Sequence, residues 1–146
     1  HKVEKGHCTG GVIMFDGCRN IDIDKCSLYG CGTYGITATD SAGITVENTE
    51  IYECTYGLVG LSGCDGIKFN GCTFRDSGNF SMFALDGCNG VSVTNSTIKN
   101  NSSSENSYFI STYDCSDIEF SGCDFSNNSY YNFCSGDAVK FIGCKL

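Results

Sequence analysis

Apolar and polar residues alternate in short bursts along the chain, as in Ile21-x-Ile23, Ile67-x-Phe69 and Ile118-x-Phe120. This period of two is the signature of a strand with one buried face. Two residues later a second short alternation follows: Cys26-x-Leu28, Cys72-x-Phe74 and Cys123-x-Phe125. The gap predicts a bend between two strands. A third apolar run then closes the unit, at Gly35 to Ala38, Leu58 to Leu61, Met82 to Leu85 and Tyr108 to Ile110. Apolar positions do not recur at helical spacing, and Gly, Asn, Ser and Thr crowd the gaps, so a helical reading fails.

The unit is repeated. Gly63 to Phe74 reads GCDGIKFNGCTF, and Gly87 to Ile98 reads GCNGVSVTNSTI. The first apolar position of each copy falls at Ile21, Ile44, Ile67, Val91, Ile118 and Val139, a spacing of 23, 23, 24, 27 and 21 residues. A period of this size predicts a solenoid. The third strand of one coil leads into the first strand of the next, so equivalent residues pair in parallel about 4.8 Å apart. Two core ladders follow, one through the six positions just named and one through Leu28, Ile51, Phe74, Ile98, Phe125 and Leu146. The phrase repeats because the core repeats, and each coil touches only its neighbours.

The Gly/Asn-Ile-x-Ile phrase, the coil lengths of 21 to 27 residues and the pairs Asn100/Asn101 and Asn127/Asn128 after the second strand resemble the right-handed parallel β-helix, or pectin-lyase-like, family. The resemblance covers essentially the whole chain. It implies an all-β, right-handed parallel β-helix solenoid of about six coils with three short strands per coil, forming a single domain over residues 1–146. The handedness comes from the resemblance alone. The chain stops at Leu146 inside a core ladder, and no amphipathic helix precedes Val12, so it reads as a piece of a longer protein.

Twelve cysteines in 146 residues would ordinarily suggest a disulfide scaffold. The register argues otherwise. Cys64, Cys88 and Cys115 share one ladder, Cys26, Cys72, Cys123 and Cys144 a second, and Cys8, Cys31 and Cys54 a third. Parallel stacking holds Cβ atoms about 4.8 Å apart, whereas a disulfide needs about 3.8 Å and converging vectors. Reduced thiols serving as small core fillers are therefore expected, and Ser41, Thr49 and Ser96 exchange with them in the same slots. No C-x-x-C pair occurs and parallel thiols do not surround a tetrahedral ion, so no zinc site is expected.

The formal charge of −8 opposes nucleic acid and anionic membranes as partners, and no apolar run reaches membrane-spanning length. An extracellular or cell-surface setting is expected, although the chain carries no signal peptide. Outward positions of the first strand gather Asp22, Asp24 and Glu47 at one end, with Lys68 two coils from Asp22. In pectin-lyase-like enzymes, the resemblance implies, the equivalent groove holds sugar with carboxylates on calcium and a Lys or Arg as base. Ca²⁺ is thus the one cofactor considered; a solvated, mixed-charge face is the competing reading. The family's more specific catalytic motifs have no counterpart here, and no catalytic residue is assigned.

Tyr29 and Tyr52, equivalent in adjacent coils, are the aromatic candidates for sugar contact. The third strand is apolar at both parities, which predicts an exposed stripe near Ile13, Val59, Phe83 and Ile110, covered by a second copy or a neighbouring domain. NNSSSENS, Asn100 to Ser107, is expected to protrude beside it as a polar loop. The function expected is a non-catalytic module of a larger secreted or surface protein, for carbohydrate recognition, adhesion or spacing, with polysaccharide or surface glycan as partner. The alternative is the scaffold of a polysaccharide lyase or glycoside hydrolase.

Overall fold

The computed structural model describes residues 10–146, so Cys8 and the two histidines lie outside the described residues. Three parallel sheets run the length of the solenoid. Sheet B stacks the first strand of each coil: β2 (Arg19–Asp24), β5 (Ala42–Glu47), β8 (Asp65–Asn70), β12 (Asn89–Thr94), β15 (Ser116–Ser121) and β18 (Val139–Ile142). Sheet C stacks the second: β3 (Ser27–Tyr29), β6 (Glu50–Tyr52), β9 (Thr73–Arg75), β13 (Thr97–Ser103) and β16 (Asp124–Ser129), with the short β10 (Gly78–Asn79) beside β13. Sheet A stacks the third: β1 (Ile13–Asp16), β4 (Tyr34–Thr39), β7 (Gly57–Ser62), β11 (Phe83–Asp86), β14 (Tyr108–Tyr113) and β17 (Asn132–Cys134).

The register follows the repeat. Ile21 pairs with Ile44, Ile44 with Ile67, Ile67 with Val91, Val91 with Ile118 and Ile118 with Val139. On sheet C, Leu28, Ile51, Phe74 and Ile98 stack in turn. Late coils fill the interior with rings: Phe83 meets Phe74 and Phe120 edge-on, each at 5.2 Å between centroids. Full burial of each such side chain contributes about 1.5–3 kcal/mol. The bend between sheets B and C takes one left-handed residue per coil: Lys25, Asn48, Gly71, Asn95, Gly122 and Gly143, with φ from 49° to 63°. Asn and Gly recur there because they tolerate that conformation most readily.

The corners are also where buried polar atoms must be satisfied, and one solution recurs. A hydroxyl one coil ahead accepts the corner N–H: Cys18 N–H donates to Ser41 Oγ at 3.1 Å, Cys26 to Thr49 at 3.3 Å and Cys72 to Ser96 at 3.1 Å. Each hydroxyl donates in turn to the carbonyl two residues before it. A thiol in the same slot keeps the donor role: Cys64 Sγ lies 3.4 Å from both the Ala38 and the Ser62 carbonyl oxygens. Cys, Ser and Thr exchange because each supplies an X–H to the same carbonyl, and not only because each is small. All described cysteines are free thiols, as the parallel register requires. At the third corner the ladder runs from Cys54 to Asn128: the Cys54 N–H donates to Ser77 Oγ, the Ser77 N–H to Asn101 Oδ1 and the Asn101 N–H to Asn128 Oδ1.

Two expectations are corrected. Ile13, Val59, Phe83 and Ile110 form an inward ladder, not an exposed stripe; Val59 and Ile110 have 0 % of their surface exposed and Phe83 2 %. Leu58 is buried as well, because the Met82 carbonyl accepts both the Leu58 and the Val59 N–H, at 2.8 and 3.0 Å. That irregular pairing lets two consecutive side chains turn inward at the corner, as a bulge does. The stripe on which covering by a second copy was expected is therefore absent from those positions. The NNSSSENS segment does not protrude as a whole either: β13 runs through Ser103, and Asn101 and Ser103 are buried, at 1 % and 4 % exposure. The Asn101 amide donates to the Phe74 carbonyl at 3.1 Å, which draws that stretch into the core ladder. Asn100 and Ser102 alternate outward along β13, and Glu105 and Asn106 are exposed in the turn between Ser104 and Ser107.

Candidate functional site

With the interior assigned, three outward faces carry the candidate chemistry. On sheet B, Asp22 pairs through Thr45 with Lys68, and Asp24 stacks directly on Glu47 and then Asn70. All four charged side chains are exposed, and Asp24 accepts a hydrogen bond from the Asn48 amide at 3.2 Å. The face thus brings Asp22, Asp24, Glu47 and Lys68 together as expected. Among the described residues, however, no group of three or more His, Cys, Asp or Glu side chains is placed to hold a metal ion.

Tyr29 and Tyr52 lie on sheet C, a different face. Their rings stack 4.8 Å apart at 8°, and the Arg75 guanidinium covers the other side of Tyr52 at 4.0 Å from its centroid. Arg75 is held by Glu50 at 3.1 Å and Asp76 at 2.6 Å. The stack uses both faces of Tyr52, so that ring presents only its edge and hydroxyl to a ligand. The pairs stabilise this surface modestly, since exposed ion pairs contribute about 0–1 kcal/mol.

The third face is a groove on sheet A, about 380 Å³ in volume. Its floor is the outward ladder Thr37, Gly60, Ala84 and Ser111; beside it runs a second outward ladder, Thr39, Ser62, Asp86 and Tyr113. Four coils at about 4.8 Å spacing give it a length of roughly 14 Å. The floor is low because its residues are small. Gly57 and Gly60 serve a further purpose: a Cβ on Gly60 would lie 3.3 Å from the Tyr34 ring, and one on Gly57 only 2.6 Å from it. Without side chains, they let the Tyr34 ring lie over the following coil. Burial, with the neighbouring Tyr56, raises the Tyr34 hydroxyl above its ordinary pKa. Tyr113, 75 % exposed, stands at the other end.

Sequence reasoning missed this groove because it assigned the outward parity of the third strand to Val59 and Phe83. The legible signal was Gly60 and Ala84 at equivalent positions of adjacent coils, where a covered apolar face would have carried larger side chains. Charge separates the faces too. Among the described residues no sheet A strand carries Lys or Arg; the cations sit on sheet B (Arg19, Lys68, Lys140), on sheet C (Arg75, Lys99) and at Lys25 and Lys145. A second cleft, about 540 Å³, lies at the corner between sheets A and B in the last coils, where Asp114, Asp117, Asp137 and Lys140 line it.

Family comparison agrees with the coil geometry. The right handed beta helix region family matches residues 10–146. This chain belongs to that family. No curated protein matches the β-helix by sequence. Among solved structures, it is similar to a candidate glycosyl hydrolase from Parabacteroides merdae, with a TM-score of 0.66 and 15% identity over 92% of this chain and 76% of that one. At that identity the likeness shows the shared fold.

Proposed function

We propose that this β-helix binds carbohydrate without cleaving it, as a module of a larger secreted or surface protein, and that a polysaccharide lies in the sheet A groove along the solenoid axis. The observation that carries the reading is the groove: an open channel four coils long, floored by small residues and lined by the hydroxyls of Thr37, Thr39, Ser62 and Ser111 with one carboxylate, Asp86. Sugar hydroxyls both donate and accept, and side-chain hydroxyls and carboxylates are their natural complements. Aromatic side chains at the groove, the Tyr34 ring over Gly60 and the exposed Tyr113, offer apolar surface to sugar C–H groups.

Retention on polysaccharide columns, combined with a reducing-end assay on the same material, tests the reading. Retention with unchanged polymer length is expected. Failure to bind any glycan would remove the proposal.

A second reading rests on the acidic cleft. Glycoside hydrolysis uses two carboxyl groups flanking the scissile bond, and Asp114, Asp117 and Asp137 line one cleft. If polymer shortening is seen and Asp137→Asn abolishes it, this reading replaces the first. The sheet B row of Asp22, Asp24, Glu47 and Lys68, with Ca²⁺, is a further expectation. It is tested by whether millimolar calcium raises the melting temperature and whether Asp24→Asn with Glu47→Gln removes the rise.

A further inference from the structure

We infer that the sheet A groove selects uncharged glycans and rejects polyuronates and other polyanionic sugars; the inference rests on the carbohydrate reading of that groove. The fold presents each coil's outward residues on three faces, and the charges are distributed unequally among them. Every described Lys and Arg falls outside the sheet A strands: on sheet B, on sheet C, at the Lys25 bend or, for Lys145, in a bridge to Asp124 of sheet C. Two carboxylates, Asp16 and Asp86, stand on one outward ladder of sheet A, since Asp16 pairs with Thr39, Thr39 with Ser62 and Ser62 with Asp86. Asp40 and Asp114 follow at the corner where the chain leaves that sheet, and both are exposed.

A polyuronate laid along this groove would bring a carboxylate close to Asp86 with no guanidinium or ammonium beside it. Its charges would lie within the screening length of about 8 Å that holds at physiological ionic strength. Recognition of carboxylates relies on cationic partners, most often bidentate Arg, and the groove supplies none. An uncharged sugar meets the opposite situation. Asp86 accepts from sugar hydroxyls, and two neighbouring hydroxyls satisfy its two oxygens together. Thr37, Thr39, Ser62 and Ser111 supply donors and acceptors of matching strength, and Gly60 and Ala84 leave room for the ring.

The test compares a soluble neutral linear glucan, a neutral mannan and polygalacturonate by affinity electrophoresis and calorimetry, using the whole chain. Ala84→Phe fills the groove floor. Ser62→Trp, at an exposed position, is the second blocking variant in case the first unfolds, and melting temperature is the folding control. At least one neutral glycan should bind at least about tenfold more tightly than polygalacturonate, a difference of about 1.4 kcal/mol. Either folded blocking variant should abolish that binding. Asp86→Lys should narrow the preference by strengthening the polygalacturonate interaction. If polygalacturonate binds as tightly as the neutral glycans or more so, and a blocking variant removes it, the selectivity is overturned while the carbohydrate reading survives. Neutral binding untouched by both blocking variants places the site off sheet A and overturns the inference. No binding to any glycan ends both.

Discussion

Sheets A and B are built from the same coils, and inside the solenoid each carries a continuous apolar ladder. Ile21 through Val139 line sheet B's inner face and Ile36, Val59, Phe83 and Ile110 line sheet A's. Outside they diverge. Sheet B carries Asp22, Lys68, Glu119 and Lys140 on one outward ladder, a row of both charges. Sheet A carries Thr37, Gly60, Ala84 and Ser111, a row of small residues under a groove. Stacking constrains the inward ladder because every coil must match its neighbours there, while the outward ladders are free to differ. Function on such a scaffold is written in the departures from the repeat, not in the repeat.

The largest effect expected is one that breaks both faces at once. Phe74 is fully buried between Phe69 and Phe83, at 5.7 and 5.2 Å between centroids. Phe74→Ala should cost about 3–5 kcal/mol by leaving a cavity. Chemical denaturation measures it, and a loss below about 1 kcal/mol would show that the coils do not share one tightly packed core.

Next comes the polar ladder at the corner between sheets C and A. Asn101 accepts the Ser77 N–H at 3.1 Å and donates to the Phe74 carbonyl at 3.1 Å. Asn101→Leu should cost about 1–3 kcal/mol for the buried groups left unpaired. Asn101→Ser, which keeps an acceptor of the kind present at Ser77, should recover part of the loss. Equal stability for the Leu variant and the parent would rule the ladder out as a stabilising device.

A smaller effect is expected from pH. Burial raises the thiols of Cys88 and Cys123 from 9.0 to about 11. An acid whose folded pKa is raised keeps the native state protonated while the unfolded chain releases its proton. Stability is then fully present below about 9 and is lost as pH rises toward about 11. Cys88→Ser with Cys123→Ser should flatten that alkaline limb of the melting temperature, and an unchanged limb would assign the loss to other groups. Elsewhere the Cys31 thiol moves the other way, to about 7, because the Cys54 thiol hydrogen-bonds to it; the same bond, together with burial, pushes Cys54 up.

The smallest stability effect is the sharpest comparison of the two faces. Thr45→Arg on sheet B and Ala84→Arg on sheet A both alter outward positions, and each should shift stability by about 0.5 kcal/mol or less. Only the sheet A change should remove glycan retention on an affinity column. Equal loss from both would erase the distinction between the faces.

Most of the fold was legible because a period of two nested in a period near 23 residues leaves one parallel stacking open to the chain. The cysteine slots were legible as small positions, yet their hydrogen bonds were not, since the carbonyl that receives each thiol proton sits partly on another coil. The sheet B row of Asp22, Asp24, Glu47 and Lys68 could be assembled from register alone, because β2, β5 and β8 pair without interruption. Tyr29 and Tyr52 were rightly paired, but that one ring stacks flat on the other follows from side-chain rotation, which spacing does not encode.

By itself the sequence determined the coils, the register and inward ladder of sheet B, and the sheet C ladder from Leu28 to Ile98; beyond it the register shifts between β13 and β16, and Leu146, expected in that core ladder, is 63 % exposed. Only the tertiary structure decided the parity of sheet A. A slip of one residue sends every side chain of a strand to the opposite face, and in Leu58-Val59 both neighbours are apolar, so neither parity stands out in the sequence. The shared Met82 carbonyl settles the matter by turning both side chains inward. The groove over Gly60 and Ala84 exists because of that turn.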